Sequence, residues 1–170
     1  MTHASPVSIR PERADHPQVG PLLAALDDYL ATLYAPEDNH ILDVSALLQP
    51  EVDFLVATQG DRLVGCGATR RMPGEADTAG QAYGEIKRMY VAPEMRGQRI
   101  AEQLLAQLEA RLLADGLTLA TLETGRDQLQ AVRLYERCGY QRRAPFGGYP
   151  DNGLSLFYEK RLALSAPVPA

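Results

Sequence analysis

A chain of 170 residues with 45% hydrophobic side chains and two cysteines can bury one full core by itself, which excludes the small disulfide- or metal-stapled class. Its net charge of -5 is unevenly placed: Ala14 to Asp61 contains no Lys or Arg and nine Asp or Glu residues, so an acidic front precedes a basic remainder, a balance that argues against nucleic-acid binding. No apolar run reaches membrane-spanning length, MTHASPVSIR lacks a secretory apolar region, and Cys66 and Cys138 sit in apolar surroundings off metal-ligand spacing; these features predict reduced core thiols in a cytoplasmic protein with no membrane partner and no metal.

Residues 1–6 read as a flexible tail, and Val7 to Arg10 as a first strand. Pro17 to Tyr34 carries Val19, Leu22, Leu23, Leu26, Leu30 and Leu33 at helical spacing, with Asp15 as its cap and Pro21 in the first turn. Ala35 to His40 breaks that helix, and Val44 to Leu48 predicts a short second one before Pro50. Asp53 to Thr58 and Arg62 to Arg70 predict a hairpin over Gln59-Gly60-Asp61. Met72 to Gln81 is polar, contains glycine and lacks periodicity, so a mobile loop is expected there.

Ala82 to Val91 predicts the next strand, ending in Met89-Tyr90-Val91 and closed by Pro93. Arg96-Gly97-Gln98-Arg99 then forms a compact turn into a long helix, in which Ile100, Leu104, Leu105, Leu108 and Leu112 make one apolar stripe. Gly116 ends this helix, and Leu117 to Thr124 is a strand; strand, helix and strand in this order imply a right-handed crossover with parallel pairing. Gln128 to Arg137 is a helix stopped by Gly139, Tyr140 to Arg143 and Leu154 to Glu159 are closing strands, and residues 163–170 form a second flexible tail. The pattern predicts a single domain, residues 7–162, of α/β (α+β) class: a mixed, mostly antiparallel twisted sheet of six or seven strands flanked by about four helices.

The joint between strand and long helix is where chemistry is expected. The first turn of a helix leaves backbone N–H groups unpaired and carries partial positive charge, so a glycine-containing turn there suits a phosphate or pyrophosphate. Gly97 admits close approach, and Arg96 and Arg99 add positive charge. An ordinary strand-to-helix connection with surface arginines is the other reading of the same spacing.

Glu85 to Tyr140 resembles the GCN5-related N-acetyltransferase (GNAT) family. The family's phosphate loop, [Gln/Arg]-x-x-Gly-x-[Gly/Ala], matches Glu94-Met95-Arg96-Gly97-Gln98-Arg99, with Glu94 and Arg99 departing from the usual residues. Tyr90-Val91-x-Pro-Glu before the loop, Ile100-Ala101 and Leu104-Leu105 after it, and Gln128-x-x-Ala131-x-x-Leu134-Tyr135-x-x-x-Gly139-Tyr140 follow the family's order and spacing, Gln128 replacing the usual Asn.

The resemblance implies acetyl-CoA as cofactor and a splayed parallel strand pair at its site. Met89, Tyr90 and Val91 would face the thioester and pantetheine from a bulged strand end, while Arg96, Gly97, Gln98, Arg99, Ile100, Ala101 and Glu102 would cradle the phosphates, with Gln128, Ala131 and Tyr135 on the opposite wall. Tyr135 matches the family's usual general acid beside the cofactor sulfur; by spacing alone it is a core aromatic. Glu85, four residues before Met89, holds the position where family members carry the base that deprotonates the amine. Glu85 is equally a strand carboxylate paired with Lys87 or an arginine, and Glu123 on the next strand is the rival base. His16 and His40 fall in polar turns and read as solvent-exposed.

The basic-poor window suggests an acidic acceptor lip, with Asp27, Asp28, Tyr29, Glu37 and Asp38 as candidates favouring a cationic small-molecule amine; a solvated acidic helix face is the alternative. Three functions remain open: N-acetylation of a small amine, the same chemistry on a protein or peptide amine, and a non-catalytic acyl-CoA-binding regulatory domain. Relatives of this kind are often homodimers, and Pro145 to Gly153 is expected to serve either a dimer contact or the acceptor pocket.

Overall fold

The computed structural model describes residues 5–163, so most of the two expected tails lies outside the described residues. The elements run β1 (Val7–Pro11), α1 (Val19–Ala31), α2 (Val44–Leu47), β2 (Val52–Gln59), β3 (Arg62–Met72), β4 (Tyr83–Val91), α3 (Ile100–Ala114), β5 (Leu119–Gly125), α4 (Leu129–Arg137), β6 (Gln141–Arg143) and β7 (Ser155–Arg161). They form one seven-stranded sheet in the order β1-β2-β3-β4-β5-β7-β6, antiparallel throughout except for the parallel β4–β5 pair. Among the described residues no helix is long and apolar enough to cross a membrane.

On one face, α3 lays its stripe across the sheet: Leu104, Leu105, Leu108 and Leu112 are at most 1% exposed and pack with Val64, Ile86 and Leu122, and the apolar side of α4 joins them. This burial, at roughly 1.5–3 kcal/mol per leucine, holds the helix more than intrinsic propensity does. The close approach requires Gly84, since a Cβ there would lie 2.2 Å from a Leu112 methyl. On the other face α1 sets Val19, Leu22 and Leu23 against Phe54, Val56 and Cys66. Farther along that face the connection between β6 and β7 folds Phe146 and Tyr149 onto Tyr83 and Phe157.

Two local expectations need correction. Asp15 does not cap α1: Gln18 stands at the cap without a side-chain bond, because the Asp15 carboxylate is taken by the Arg13 guanidinium at 2.8 and 2.9 Å. The segment from Met72 to Gln81 is built rather than loose. A single 3-10 turn, Ala76–Thr78, is closed by a capping box with Glu75, Thr78 is buried, and the Glu75 carboxylate accepts from the Tyr83 hydroxyl and the Gly147 amide. Local polar bonds of this kind leave no hydrophobic period to read.

What positions the site is the fork between β4 and β5. Their pairing covers only Gly84–Ile86 against Ala120–Leu122, although β4 continues to Val91 and β5 to Gly125. From Lys87 onward the β5-facing backbone edge of β4 has no strand partner. On its other edge β4 bulges against β3, the register passing from Ala68↔Lys87 to Cys66↔Tyr90, with Arg88 at φ 57°. Positive φ is unfavourable for a residue with a Cβ, so the surrounding sheet imposes this conformation.

Candidate active site

Two cavities meet at the fork. The larger, about 640 Å³, is a groove walled on one side by Met89, Tyr90, Val91, Arg96, Gly97, Arg99 and the first turn of α3, and on the other by Gln128, Ala131, Leu134 and Tyr135 of α4 and its lead-in. The smaller, about 90 Å³, is lined by Leu30, Tyr34, Asp38 and His40 from the α1 side and by Lys87, Arg88, Glu123 and Ser155 from the strands. Leu26, Met89, Gln128 and Tyr135 line both.

At the mouth of the groove Gly97 has φ 82°, and nothing lies within 4 Å of where its Cβ would be. The turn is thus open to the outside, with its amides and those of Ile100, Ala101 and Glu102 at the N-terminus of α3. Arg99 sits at the helix cap in left-handed conformation, φ 59° and ψ 27°, and lines the groove. The Arg96 guanidinium donates to the Val91 carbonyl at 3.1 Å and lies 5.9 Å from the Tyr90 ring centre. Glu94 turns outward into an ion pair with Arg62, so its departure from the family pattern leaves the groove unaltered. Gln98 does not line the groove; its side chain turns toward Met95. Glu102 and Arg137, both lining the groove, form an ion pair at 2.8 Å between α3 and α4.

Tyr135 is 7% exposed, edge-on to Tyr140 at 5.9 Å, and its hydroxyl makes no hydrogen bond among the described residues. Burial, with the Glu123 carboxylate adding to it, pushes its pKa well above the ordinary phenol value, so it holds its proton. Cys66, by contrast, is a sealed core thiol pushed up to about 12 by burial.

The two candidate bases are placed differently. Glu85 pairs with Thr121 before the fork, is 4% exposed and lines neither cavity. Its carboxylate accepts from the Tyr149 hydroxyl at 2.6 Å, and Lys87 Nζ, 3.9 Å from the same carboxylate oxygen, donates to that hydroxyl at 2.7 Å. Burial raises the Glu85 pKa, while Lys87 and Tyr149 pull it back. Glu123 lies just past the fork, lines the smaller cavity and accepts from Ser155 Oγ at 2.7 Å.

The acidic lip expected from the sequence does not assemble. Asp27 is held by Arg88 at 2.6 Å, Asp28 and Glu37 line neither cavity, and Tyr29 lines the groove instead; Asp38 alone of that group reaches the smaller cavity. Of the residues on which a preference for cationic acceptors rested, Asp38 alone lines the smaller cavity. His40 is half-buried rather than solvent-exposed, edge-on to Tyr149 at 5.0 Å. Tyr34, Lys87 and Arg88, which line the smaller cavity, and Tyr149, which bridges Lys87 and Glu85, carry no motif in the sequence. The one available signal was the pair of aromatics, Phe146 and Tyr149, in a loop otherwise rich in glycine and proline. Among the described residues no group of three or more His, Cys, Asp or Glu side chains is placed to hold a metal ion.

The model of the family described as Acetyltransferase (GNAT) family matches residues 21–140, which spans both walls of the groove. The chain belongs to the GNAT acetyltransferase family. It is 45% identical over 141 residues to the IAA acetyltransferase of Azospirillum brasilense, covering 83% of this chain and 88% of that one. It is 35% identical over 129 residues to the uncharacterized N-acetyltransferase YsnE of Bacillus subtilis, covering 75% and 81%. Among solved structures, a candidate acyl-CoA N-acyltransferase from Klebsiella pneumoniae superposes with TM-score 0.75 at 34% identity, over 92% of this chain and 98% of that one. The PaiA N-acetyltransferase of Thermoplasma acidophilum, solved with coenzyme A, shares the fold with TM-score 0.67 at 16% identity, over 92% and 99%.

As a GNAT enzyme the protein is an acetyl-CoA-dependent N-acetyltransferase. The groove fits that cofactor on its own features: an open glycine turn at a helix N-terminus, two arginines beside it, and a strand edge left without a partner.

Proposed function

We propose that this GNAT enzyme acetylates the primary amine of a small molecule by direct attack in a ternary complex. The carrying observation is that Tyr135 lies in the wall of both cavities, where an acyl donor in the groove and an amine in the smaller cavity would meet. At about 90 Å³ the smaller cavity is a fraction of the 640 Å³ groove, which supports a small acceptor over a polypeptide segment.

Acetyl-CoA, when bound, supplies an acetyl group activated as a thioester. The amides around Gly97 and at the start of α3, with Arg96 and Arg99, would hold its diphosphate; the β4 edge from Met89 to Val91 would take the pantetheine arm. An alkylamine is protonated at neutral pH and must lose that proton before its lone pair can attack the acetyl carbon. Glu123 lines the acceptor cavity and takes the proton. Glu85 reaches the cavity only through Tyr149 and Lys87, and its part is to fix Lys87. Tyr135, in the wall of both cavities, would give its proton to the sulfur that leaves as the C–N bond forms, and its phenolate would then take the remaining surplus proton from the nitrogen, leaving a neutral amide and a free thiol.

The test is release of free thiol from acetyl-CoA across an amine panel. Glu123→Gln is expected to lower kcat by about 100-fold or more, the scale of a lost general base. A full loss in Glu85→Gln with Glu123→Gln near wild type would move the base to Glu85. Binding of acetyl-CoA without thiol release on any amine would leave an acyl-CoA-binding domain without catalysis.

A further inference from the structure

We propose that the acceptor carries an anionic group, a carboxylate or phosphonate, beside its amine, and that Lys87, Arg88 and His40 receive it. The proposal rests on the acetyltransferase reading above and names its substrate class.

It begins with the bulge. In a regular strand consecutive side chains point to opposite faces, but the left-handed backbone at Arg88 brings Lys87 and Arg88 to the same face. Lys87 reaches the His40 carbonyl at 3.1 Å and the Tyr149 hydroxyl; Arg88 reaches Asp27 and, at 3.5 Å, the Leu23 carbonyl of α1. Two neighbouring cations thus line one small cavity, and a backbone conformation unfavourable for arginine is kept to place them there.

Both cations are largely withdrawn from water: Arg88 is 8% exposed and the Lys87 side chain 9%. Their partners do not use all their donors. The Arg88 guanidinium has one short bond to a carboxylate, and its Nε lacks a partner in the structure, as does Nε2 of His40. Buried polar atoms are nearly always paired. Asp27 and Glu85 already balance the two charges, so what an acceptor anion adds at this wall is further acceptor oxygens for the N–H groups of Lys87 and Arg88.

The remaining charged groups facing the cavity are Glu123 and Asp38. Glu123, held by Ser155 near Tyr135, suits the amine end. An acceptor with an amine at one end and an anion at the other therefore matches the sign of the wall at both ends.

The experiment compares matched acceptors on the wild-type enzyme, with rates expressed per free amine: β-alanine against its amide, and 2-aminoethylphosphonate against its neutral diester, with a diamine as the cationic arm. At least one anionic acceptor is expected to show kcat/KM about tenfold or more above its neutral partner, mostly through KM, and which of the two does so identifies the anion. Lys87→Gln and, as a second variant that leaves the Glu85 environment intact, Arg88→Gln are each expected to reduce that ratio to below about threefold. Neutral or cationic amines turned over as well as the anionic ones, or a ratio unchanged in both variants, would overturn the proposal while leaving acetyl transfer standing. Silence of every amine with acetyl-CoA bound would overturn both.

Discussion

Replacing Tyr135 by Phe removes one oxygen from the place where groove and cavity meet. The ring stays buried, edge-on to Tyr140, and the lost hydroxyl has no hydrogen-bond partner among the described residues. Folding should accordingly change by no more than about 0.5 kcal/mol, since an unpaired buried hydroxyl contributes nothing to lose and its removal relieves a desolvation cost. For a chain of this size that is a Tm within about 2 °C of wild type. The chemical effect is of another order: loss of a positioned general acid lowers turnover by about 10²–10⁴-fold, with acetyl-CoA affinity retained. The pH dependence has a definite sign. Burial first, and Glu123 second, hold the Tyr135 pKa above the ordinary phenol value of about 10, so the acid keeps its proton through the assay range. Wild-type turnover therefore shows no alkaline loss from this group below about pH 10. Stopped or continuous thiol detection gives kcat, calorimetry gives affinity, and thermal melting gives stability. A variant within threefold of wild-type kcat, or one that loses acetyl-CoA binding in proportion, would remove Tyr135 from the mechanism.

Two further substitutions test the surroundings. Tyr149→Phe deletes the hydroxyl between Lys87 and Glu85, two largely buried charged groups, and should cost about 1.5–3 kcal/mol, read as a Tm lower by about 3–10 °C; an unchanged Tm would mean that the bridge is not formed in solution. Gly84→Ala places a Cβ 2.2 Å from a Leu112 methyl, and overpacking on that scale should destabilise by about 1–3 kcal/mol; a variant as stable as wild type would show that α3 does not lie against β4 as described.

Much of this was legible in the chain. The Leu104-Leu105-Leu108-Leu112 stripe and the glycine turn before it follow from local spacing, which survives folding unchanged, whereas Tyr135 is a core aromatic by spacing and comes to the groove only through the family resemblance. The choice between Glu85 and Glu123 was not legible. Alternation puts Glu85 on the face of Lys87, but which carboxylate opens to the cavity depends on where two strands distant in sequence part company, and that is just past Ile86 and Leu122. The left-handed bulge falls on an arginine, which gives no conformational signal of the kind a glycine gives. Tyr149 reaches Glu85 across 64 residues, and His40 reaches Lys87 across 47, so neither could be placed before the sheet existed. The acidic front is not gathered at one lip for the same reason: Asp27 is drawn to Arg88, 61 residues away in the chain.

The grip of the open turn at Gly97 on the coenzyme A diphosphate is measured most directly by calorimetric titration of coenzyme A into the wild type and Gly97→Ala. With nothing within 4 Å of the new Cβ, the unliganded variant suffers only the left-handed strain, about 1–2 kcal/mol, and stays folded. The methyl group would stand where the diphosphate approaches the amides, so affinity is expected to fall about tenfold or more against a wild type that binds. Equal affinity in the two proteins, or a wild type that does not bind coenzyme A, would contradict the account.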